Sequence, residues 1–254
     1  HAQIKEDTNI EWAVVSATIN EQVGSIIEKV YQEKPTIVAA SMWLFNHEAL
    51  MHLCARIKAL LPQVIIALGG PEFLGDNETF LRNNPFVSCV FRGEGEEVFP
   101  QWLASYESTK QWASIHGMCF VDARNKYRDN GKAIVMNFDR LTPPEESEFF
   151  NWGKPFVQLE TTRGCFNTCA FCVSGGEKPV RTLSIEQIKQ RLDLIHKHGI
   201  KDVRLLDRTF NYNMHRAKAL LQLFKEYAPH MRFHLEIHPA LLTEELKQEL
   251  VTLP

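Results

Sequence analysis

Short apolar runs of strand length recur along this chain, with amphipathic helical patterns among them. The first four, residues 12–16, 36–41, 64–68 and 87–91, are rich in β-branched residues and carry almost no charge. Strands buried on both faces of a parallel sheet have that composition. Between them, Val23, Ile26, Ile27, Val30 and Tyr31 fall on one helical face. So do Leu50, Leu53, Cys54, Ile57, Leu60 and Leu61, and then Val98, Phe99, Trp102, Leu103 and Tyr106. The alternation predicts an α/β fold over residues 1–110, a Rossmann-like doubly wound parallel sheet.

Residues 111–150 read as a connector. Runs 118–122 and 133–138 can pair as a hairpin around Asp129-Asn130-Gly131, a strong turn signal. Leu141-Thr142-Pro143-Pro144-Glu145-Glu146 reads as a polar, proline-stiffened linker and domain boundary. A second alternation fills residues 151–254. A strand ends at Glu160, and a capping box of Ser184 and Gln187 opens a helix bearing Ile185, Ile188, Leu192 and Ile195. After His198-Gly199 come a strand at 203–206, a helix with Leu220, Leu221, Phe224 and Tyr227, and a strand at 233–237. A last helix starts at Thr243 with Glu244 and Glu245 in its first turn.

Cys165, Cys169 and Cys172 follow the strand that ends at Glu160, at spacing C-x3-C-x2-C. Thiolates hold iron–sulfur clusters, and a four-iron cubane needs four ligands, so three close cysteines imply one iron left for a non-protein ligand. Zinc would require a fourth ligand, and the nearest histidines, His196 and His198, lie downstream in a helical stretch. Disulfides belong to oxidising compartments, and nothing in the sequence looks secretory. Cys54, Cys89 and Cys119 sit singly in apolar runs, as core residues do.

With an aromatic residue just before its third cysteine, this stretch resembles the signature of the radical S-adenosylmethionine (SAM) enzymes. The resemblance implies a 4Fe–4S cluster on Cys165, Cys169 and Cys172, with SAM on the open iron and Phe171 beside the adenine. Reductive cleavage of SAM then yields a 5′-deoxyadenosyl radical, chemistry that belongs to the cofactor. Residues 151–254 would be the first half of a partial (β/α)6 barrel. Because a half barrel exposes two sheet edges, the chain reads as part of a longer protein. Active groups in such barrels sit at the carboxyl ends of strands. The resemblance implies Asp207 for the SAM amino group, Glu236 for the ribose hydroxyls and His238 as a proton carrier. On the residues alone, Asp207 can equally pair with Arg208 or cap the next helix, and His238 can be a structural histidine. Gly175-Gly176 gives the cysteine loop freedom without a nameable role.

In the first alternation, the strands end in Ser41-Met42-Trp43, Gly69-Gly70-Pro71-Glu72 and Arg92-Gly93-Glu94-Gly95. Ligands of open parallel sheets bind at such ends, where glycine admits close approach and helix N-termini offer amides. Singly, each is equally a tight turn or a helix start. Together, upstream of the cysteines, they resemble the cobalamin-binding domain of one branch of radical SAM enzymes. That resemblance implies Gly69, Gly70, Pro71, Glu72, Arg92, Gly93, Glu94 and Gly95 around the nucleotide tail, and Ser41, Met42 and Trp43 facing the corrin. The cobalt-ligating Asp-x-His-x-x-Gly motif of other cobalamin proteins does not occur; by the resemblance it follows a first strand that this chain is expected to start after. His47, near the same face, reads as a helix-opening residue.

The chain's 254 residues allow one or two domains, and a net charge of −3 makes no case for nucleic-acid binding. No apolar run nears the roughly 20 residues of a membrane span, so a soluble, cytoplasmic protein is expected. By the resemblance, the reaction is methyl transfer to an unactivated carbon of a small molecule, with a ferredoxin or flavodoxin as electron donor. The alternative is radical oxidation or ring formation, as in the anaerobic cyclases of chlorophyll synthesis. A reading of another class is an iron–sulfur scaffold that cleaves no SAM.

Overall fold

The first alternation folds as α1 (Val23–Gln32), β1 (Ile37–Ser41), α2 (His47–Leu60), β2 (Ile65–Gly69), α3 (Glu78–Asn83) and β3 (Cys89–Phe91). There follow α4 (Gly95–Leu103), α5 (Thr109–Trp112), β4 (Met118–Val121) and β5 (Tyr127–Asp129). The computed structural model describes residues 1–7, 9–172, 174 and 177–253. The chain divides into two units: Gln3–Val135, and His1–Ala2 with Met136–Pro254.

In the first unit the strands lie in the order β1-β2-β3-β4-β5. β1, β2 and β3 run parallel, with Ser41 opposite Gly69 and Ala67 opposite Cys89. β4 and β5 are antiparallel additions, so the sheet is mixed where an all-parallel one was expected. Alternate side chains leave its two faces. Ile66, Leu68, Val90 and Cys119 pack with Val30, Leu53, Cys54, Ile57 and Leu81 from α1, α2 and α3. Ala67, Cys89, Phe91, Met118 and Phe120 pack with Val98, Trp102 and Trp112 from α4 and α5. Helices therefore cover both faces, as the doubly wound reading requires. Cys54, Cys89 and Cys119 are buried, and burial pushes the Cys54 thiol up to about 12 and raises the other two.

Two local expectations fail. Residues 12–16 have a strand's composition but form no strand. β1 is the sheet's edge, and its outer side faces a cleft of about 350 Å³ lined by Ala13, Val15 and Ala17, so no neighbouring strand pairs with that run. The hairpin turns at 122–126, where Asp122 Oδ1 accepts the Arg124 and Lys126 amides at 2.9 Å each and Asn125 takes φ 58°. Asn130 is spent elsewhere, donating to the Trp112 and Ile115 carbonyls at 2.7 and 2.8 Å. Residues 133–138 form no strand, although Ala133 bridges to Gly93. The hairpin thus completes the first unit's sheet, and that unit runs on to Val135.

The second unit holds β6 (Val157–Leu159), β7 (Thr162–Arg163), β8 (Arg181–Thr182), α6 (Ile185–Lys197), β9 (Asp202–Leu205), α7 (Met214–Tyr227), β10 (Arg232–His234) and α8 (Glu244–Val251). β6, β9 and β10 are parallel neighbours in chain order, joined through α6 and α7. Val157, Leu159, Val203 and Leu205 are buried, as are Ile188, Leu192, Ile195, Leu220, Leu221 and Phe224 of the helices. Phe233 stacks on Phe224 at 4.2 Å. Of the predicted capping box one half forms, Ser184 Oγ accepting the Gln187 amide at 3.2 Å, while the Ser184 amide donates to Asp139 Oδ1 at 2.7 Å. Thr243, read as the start of the last helix, caps it, its Oγ1 accepting the Leu246 amide at 3.3 Å. These are three successive strand–helix units, the first half of a (β/α)6 arrangement. The expected linker is instead docked, since Glu145 is buried against Arg191 of α6. Among the described residues no helix is long and apolar enough to cross a membrane.

Candidate functional site

Each unit carries chemistry-bearing residues at the carboxyl ends of its parallel strands. In the first, register brings the turns after β1 and β2 together. The Met42 amide donates to the Gly69 carbonyl at 2.7 Å, and Gly69 lies against Phe91 at the end of β3. Gly70 takes φ +109°, and a Cβ there would stand 2.4 Å from the Met42 carbonyl oxygen. The chain's own backbone therefore demands glycine. Asn46 closes the loop after β1, accepting the Trp43 amide at 2.8 Å and donating to the Ser41 carbonyl at 3.1 Å.

The predicted residues separate into anchors and exposed groups. Met42 is fully buried in the core instead of facing a ligand. Arg92 donates to the Leu74 carbonyl and pairs with Asp129 at 2.6 Å, while Glu94 Oε2 accepts the Val135 amide at 2.6 Å. Glu72 stands 3.7 Å from His47 Nδ1. Pro71 starts the short helical turn Pro71–Phe73. Exposed at this edge are Ser41 and Trp43, together with Leu44 and Phe45, which the sequence reading passed over. Trp43 and Phe45 stack at 6.2 Å, an aromatic surface suited to the apolar face of a large flat ring. An uncharged Trp-Leu-Phe triplet just past the end of an apolar strand-like run was the available signal.

Gly93 and Gly95 differ sharply. Gly93 takes φ +102° with a would-be Cβ 2.3 Å from the Ala133 carbonyl oxygen, whereas Gly95 has open space. Gly93→Ala is therefore expected to cost at least about 1–3 kcal/mol in urea unfolding followed by tryptophan fluorescence. Gly95→Ala should be neutral or stabilising by about 0.4–1 kcal/mol. Equal effects would refute the assignment of Gly93 as a backbone necessity.

In the second unit, β7 pairs antiparallel with β8, Thr162 opposite Thr182 and Arg163 opposite Arg181. This stem closes the cysteine loop at its base. Gly164 follows with φ +99°, where a Cβ would lie 2.6 Å from the Glu177 carbonyl oxygen, and the Cys165 amide donates to that same oxygen at 2.9 Å. Cys165 is buried; Cys169 and Cys172 are exposed and linked by a turn, the Cys172 amide donating to the Cys169 carbonyl at 3.0 Å. None of the three is in a disulfide. Among the described residues no group of three His, Cys, Asp or Glu side chains is gathered as a metal site. As a donor set, three thiols on one clamped loop with no histidine among them fit an iron–sulfur cluster better than zinc. Phe171 is 93% exposed. Gly175 and Gly176 lie outside the described residues.

Asp207, at the end of β9, is 1% exposed and already engaged. Its Oδ1 accepts the Thr161 and Thr162 amides at 2.7 and 2.9 Å, and its Oδ2 accepts the Thr161 hydroxyl. Burial pushes this carboxyl up from its ordinary value, and the threonine donors pull it part of the way back. It neither pairs with Arg208 nor caps α7, whose cap is Asn213 accepting the Arg216 amide at 3.0 Å. Glu236 is exposed at the end of β10, while its carbonyl accepts the Phe210 amide at 2.8 Å. His238 is held by its backbone: Asn211 donates to its carbonyl at 3.0 Å and accepts its amide at 2.8 Å. The His238 ring lies 6.1 Å from Phe166 of the cysteine loop, and its buried Nδ1 has no partner among the described residues. The cysteine loop and His238 thus approach each other at the end of this sheet where Glu236 also stands. Thr161, Asn211 and Arg216 were not singled out from sequence, because their partners lie 27–55 residues away.

Residues 2–103 match the model of the B12 binding domain, and residues 159–253 that of the radical SAM superfamily. The chain is 26% identical over 203 residues to the uncharacterized methyltransferase PH0819 of Pyrococcus horikoshii, covering 77% of this chain and 44% of that protein. It is 24% identical to the cobalamin-dependent radical SAM methyltransferase TokK of Streptomyces tokunonensis, over 76% of this chain and 29% of TokK. In fold it is similar to the radical SAM methyltransferase TsrM of Kitasatospora setae, solved with cobalamin and a 4Fe–4S cluster bound. That match has a TM-score of 0.67 at 16% identity and covers 89% of this chain and 48% of TsrM. The chain spans less than half the length of each of these proteins. With one matched domain in each unit, in this order, the chain belongs to the radical SAM enzymes that carry a cobalamin-binding domain.

Proposed function

We propose that this chain is the cofactor-binding portion of a cobalamin-dependent radical SAM methyltransferase acting on an unactivated carbon of a small molecule. The observation that carries the reading is the clamped loop with Cys165, Cys169 and Cys172 at the carboxyl end of β6, in a chain whose first unit is of the B12-binding type. When bound, the cluster supplies the electron that cleaves SAM to a 5′-deoxyadenosyl radical, and cobalamin carries the transferred methyl group.

The chain's own residues bind and orient. The three thiolates hold the cluster, the exposed Phe171 ring covers the adenine, and the Glu236 carboxylate accepts hydrogen bonds from the ribose hydroxyls. His238, fixed through Asn211, holds a buried ring nitrogen, without a partner among the described residues, that would take up a proton. In the first unit, Ser41, Trp43 and Phe45 offer a surface to the corrin, and the turns at Gly69–Glu72 and Arg92–Gly95 enclose its nucleotide tail. A low-potential ferredoxin or flavodoxin serves as the external reductant.

The test uses the full-length protein, reconstituted anaerobically with iron, sulfide and cobalamin. It is supplied with SAM bearing a deuterated methyl group and a small-molecule extract of its source cells. Both 5′-deoxyadenosine and S-adenosylhomocysteine are expected, with the deuterated methyl in a product. Anaerobic magnesium-protoporphyrin IX monomethyl ester cyclases are also among the relatives. An oxidised or cyclised product without label would therefore replace methyl transfer by ring formation. No SAM cleavage at all, with cluster intact and SAM bound, would leave only a scaffold.

A further inference from the structure

One residue of the second unit, Thr161, is gripped by charged side chains on both sides of its backbone. Its amide and hydroxyl donate to Asp207 at the end of β9. Its carbonyl accepts Arg216 Nη2, from the first turn of α7, at 2.9 Å. The same nitrogen of Arg216 donates to the Leu183 carbonyl at 2.7 Å, and the Leu183 amide returns to the Thr161 carbonyl at 2.9 Å. Thr161 and Leu183 flank β7 and β8, so Arg216 staples the two strands of the stem from which the cysteine loop projects. Thr161 is wholly buried, Asp207 nearly so, and the amide of Thr162, three residues before Cys165, is also held by Asp207.

We propose that Asp207, Thr161 and Arg216 form a positioning clamp that sets the path of the cysteine loop, and with it the retention and environment of the cluster. None of the three touches the reacting atoms; they act through the backbone between β6 and Cys165. A buried carboxylate accepting hydrogen bonds from two consecutive amides and a hydroxyl fixes that backbone more tightly than solvent-exposed contacts can. The next strand–helix unit contributes two of the clamp's members, so the loop is registered to β9 and α7 and not merely to its own strand. The clamp rests on the proposed cluster, and the test separates the two.

The full-length protein, loaded with iron, sulfide and cobalamin, is compared with Thr161→Val, Thr161→Ser, Asp207→Ala and Asp207→Asn. Measured are iron loss to an external chelator, the electron paramagnetic resonance spectrum of the reduced cluster with and without SAM, and bound cobalamin. Groups that orient metal ligands typically change metal affinity about 10–100-fold when removed, so Thr161→Val and Asp207→Ala should release iron faster by a factor of that order. They should also show an altered cluster spectrum, with cobalamin retained. Serine keeps the hydroxyl, and asparagine can accept both amides and meet the hydroxyl, so these two should stay close to the parent. If Asp207→Ala does not fold, Thr161→Val against Thr161→Ser decides, since valine fills threonine's volume without the hydroxyl. Parent-like iron loss and spectrum in Thr161→Val would overturn the clamp. So would a lower melting temperature with an unchanged spectrum, which marks a merely structural role. A parent chain that binds no iron would overturn the cluster reading instead.

Discussion

Replacing Cys165, Cys169 and Cys172 together by alanine is expected to take the anaerobically reconstituted full-length protein from about four irons to none. 5′-Deoxyadenosine formation should fall to background, because nothing else in the loop can substitute as a ligand. The loop contains no histidine, and Cys54, Cys89 and Cys119 are locked in the first unit's core with thiols raised by burial. Cobalamin content should be unchanged, since the substitutions lie outside the unit that matches the B12 binding domain. Iron, sulfide and cobalamin counts beside a product assay read all of this. Iron retained in the triple variant would show that the cluster is elsewhere. Zinc in the parent protein would overturn the radical reading altogether.

Glu145→Ala is expected to cost about 3–5 kcal/mol of stability in the second unit, a large fraction of what holds a domain folded. The Glu145 side chain is 0% exposed and that of Arg191 only 9%. Arg191 Nη2 donates to Glu145 Oε1 at 2.7 Å and Nε to Oε2 at 3.1 Å, a two-point pairing. Removing the carboxylate strands a guanidinium in the interior, with the Glu160 carbonyl at 3.3 Å as its remaining partner. The cost comes from that uncompensated charge more than from the pair's own strength. The double variant Glu145→Leu with Arg191→Met should therefore recover most of the loss. Urea unfolding monitored by far-UV circular dichroism measures both. A change below about 1 kcal/mol for Glu145→Ala would class the pair with exposed ones, whatever its burial.

The same pair illustrates where sequence reading stops. Residues 141–146 have a linker's composition, yet Glu145 is among the most buried charges in the chain because Arg191 waits 46 residues later on α6. Asp207 was legible as an acid at a strand end, but not as one already committed to Thr161 and Thr162. Met42 sits in a loop motif that reads as ligand-facing, and the backbone turns it into the core. Residues 12–16 carry a strand's composition, but a strand also needs a neighbour, which composition does not record. Each miss concerns which distant group meets which.

What the sequence determined by itself are the features whose physics is local. Strands covered by helices are apolar and β-branched, and a helical stripe imposes its own period, so β1, β2, β3 and the helices α1, α2 and α4 stand in the order read from the chain, whereas α3 was not read. The caps at Ser184 and Thr243 and the spacing of the three cysteines are likewise encoded within a few residues. The tertiary structure alone decided that the hairpin joins the first sheet, that β7 and β8 close the cysteine loop, and that Asp207 and Arg216 grip Thr161 from opposite sides. Hydrogen bonds and buried charges of that kind depend on strand register across 20 to 55 residues of chain, and register is set by packing the whole sheet at once.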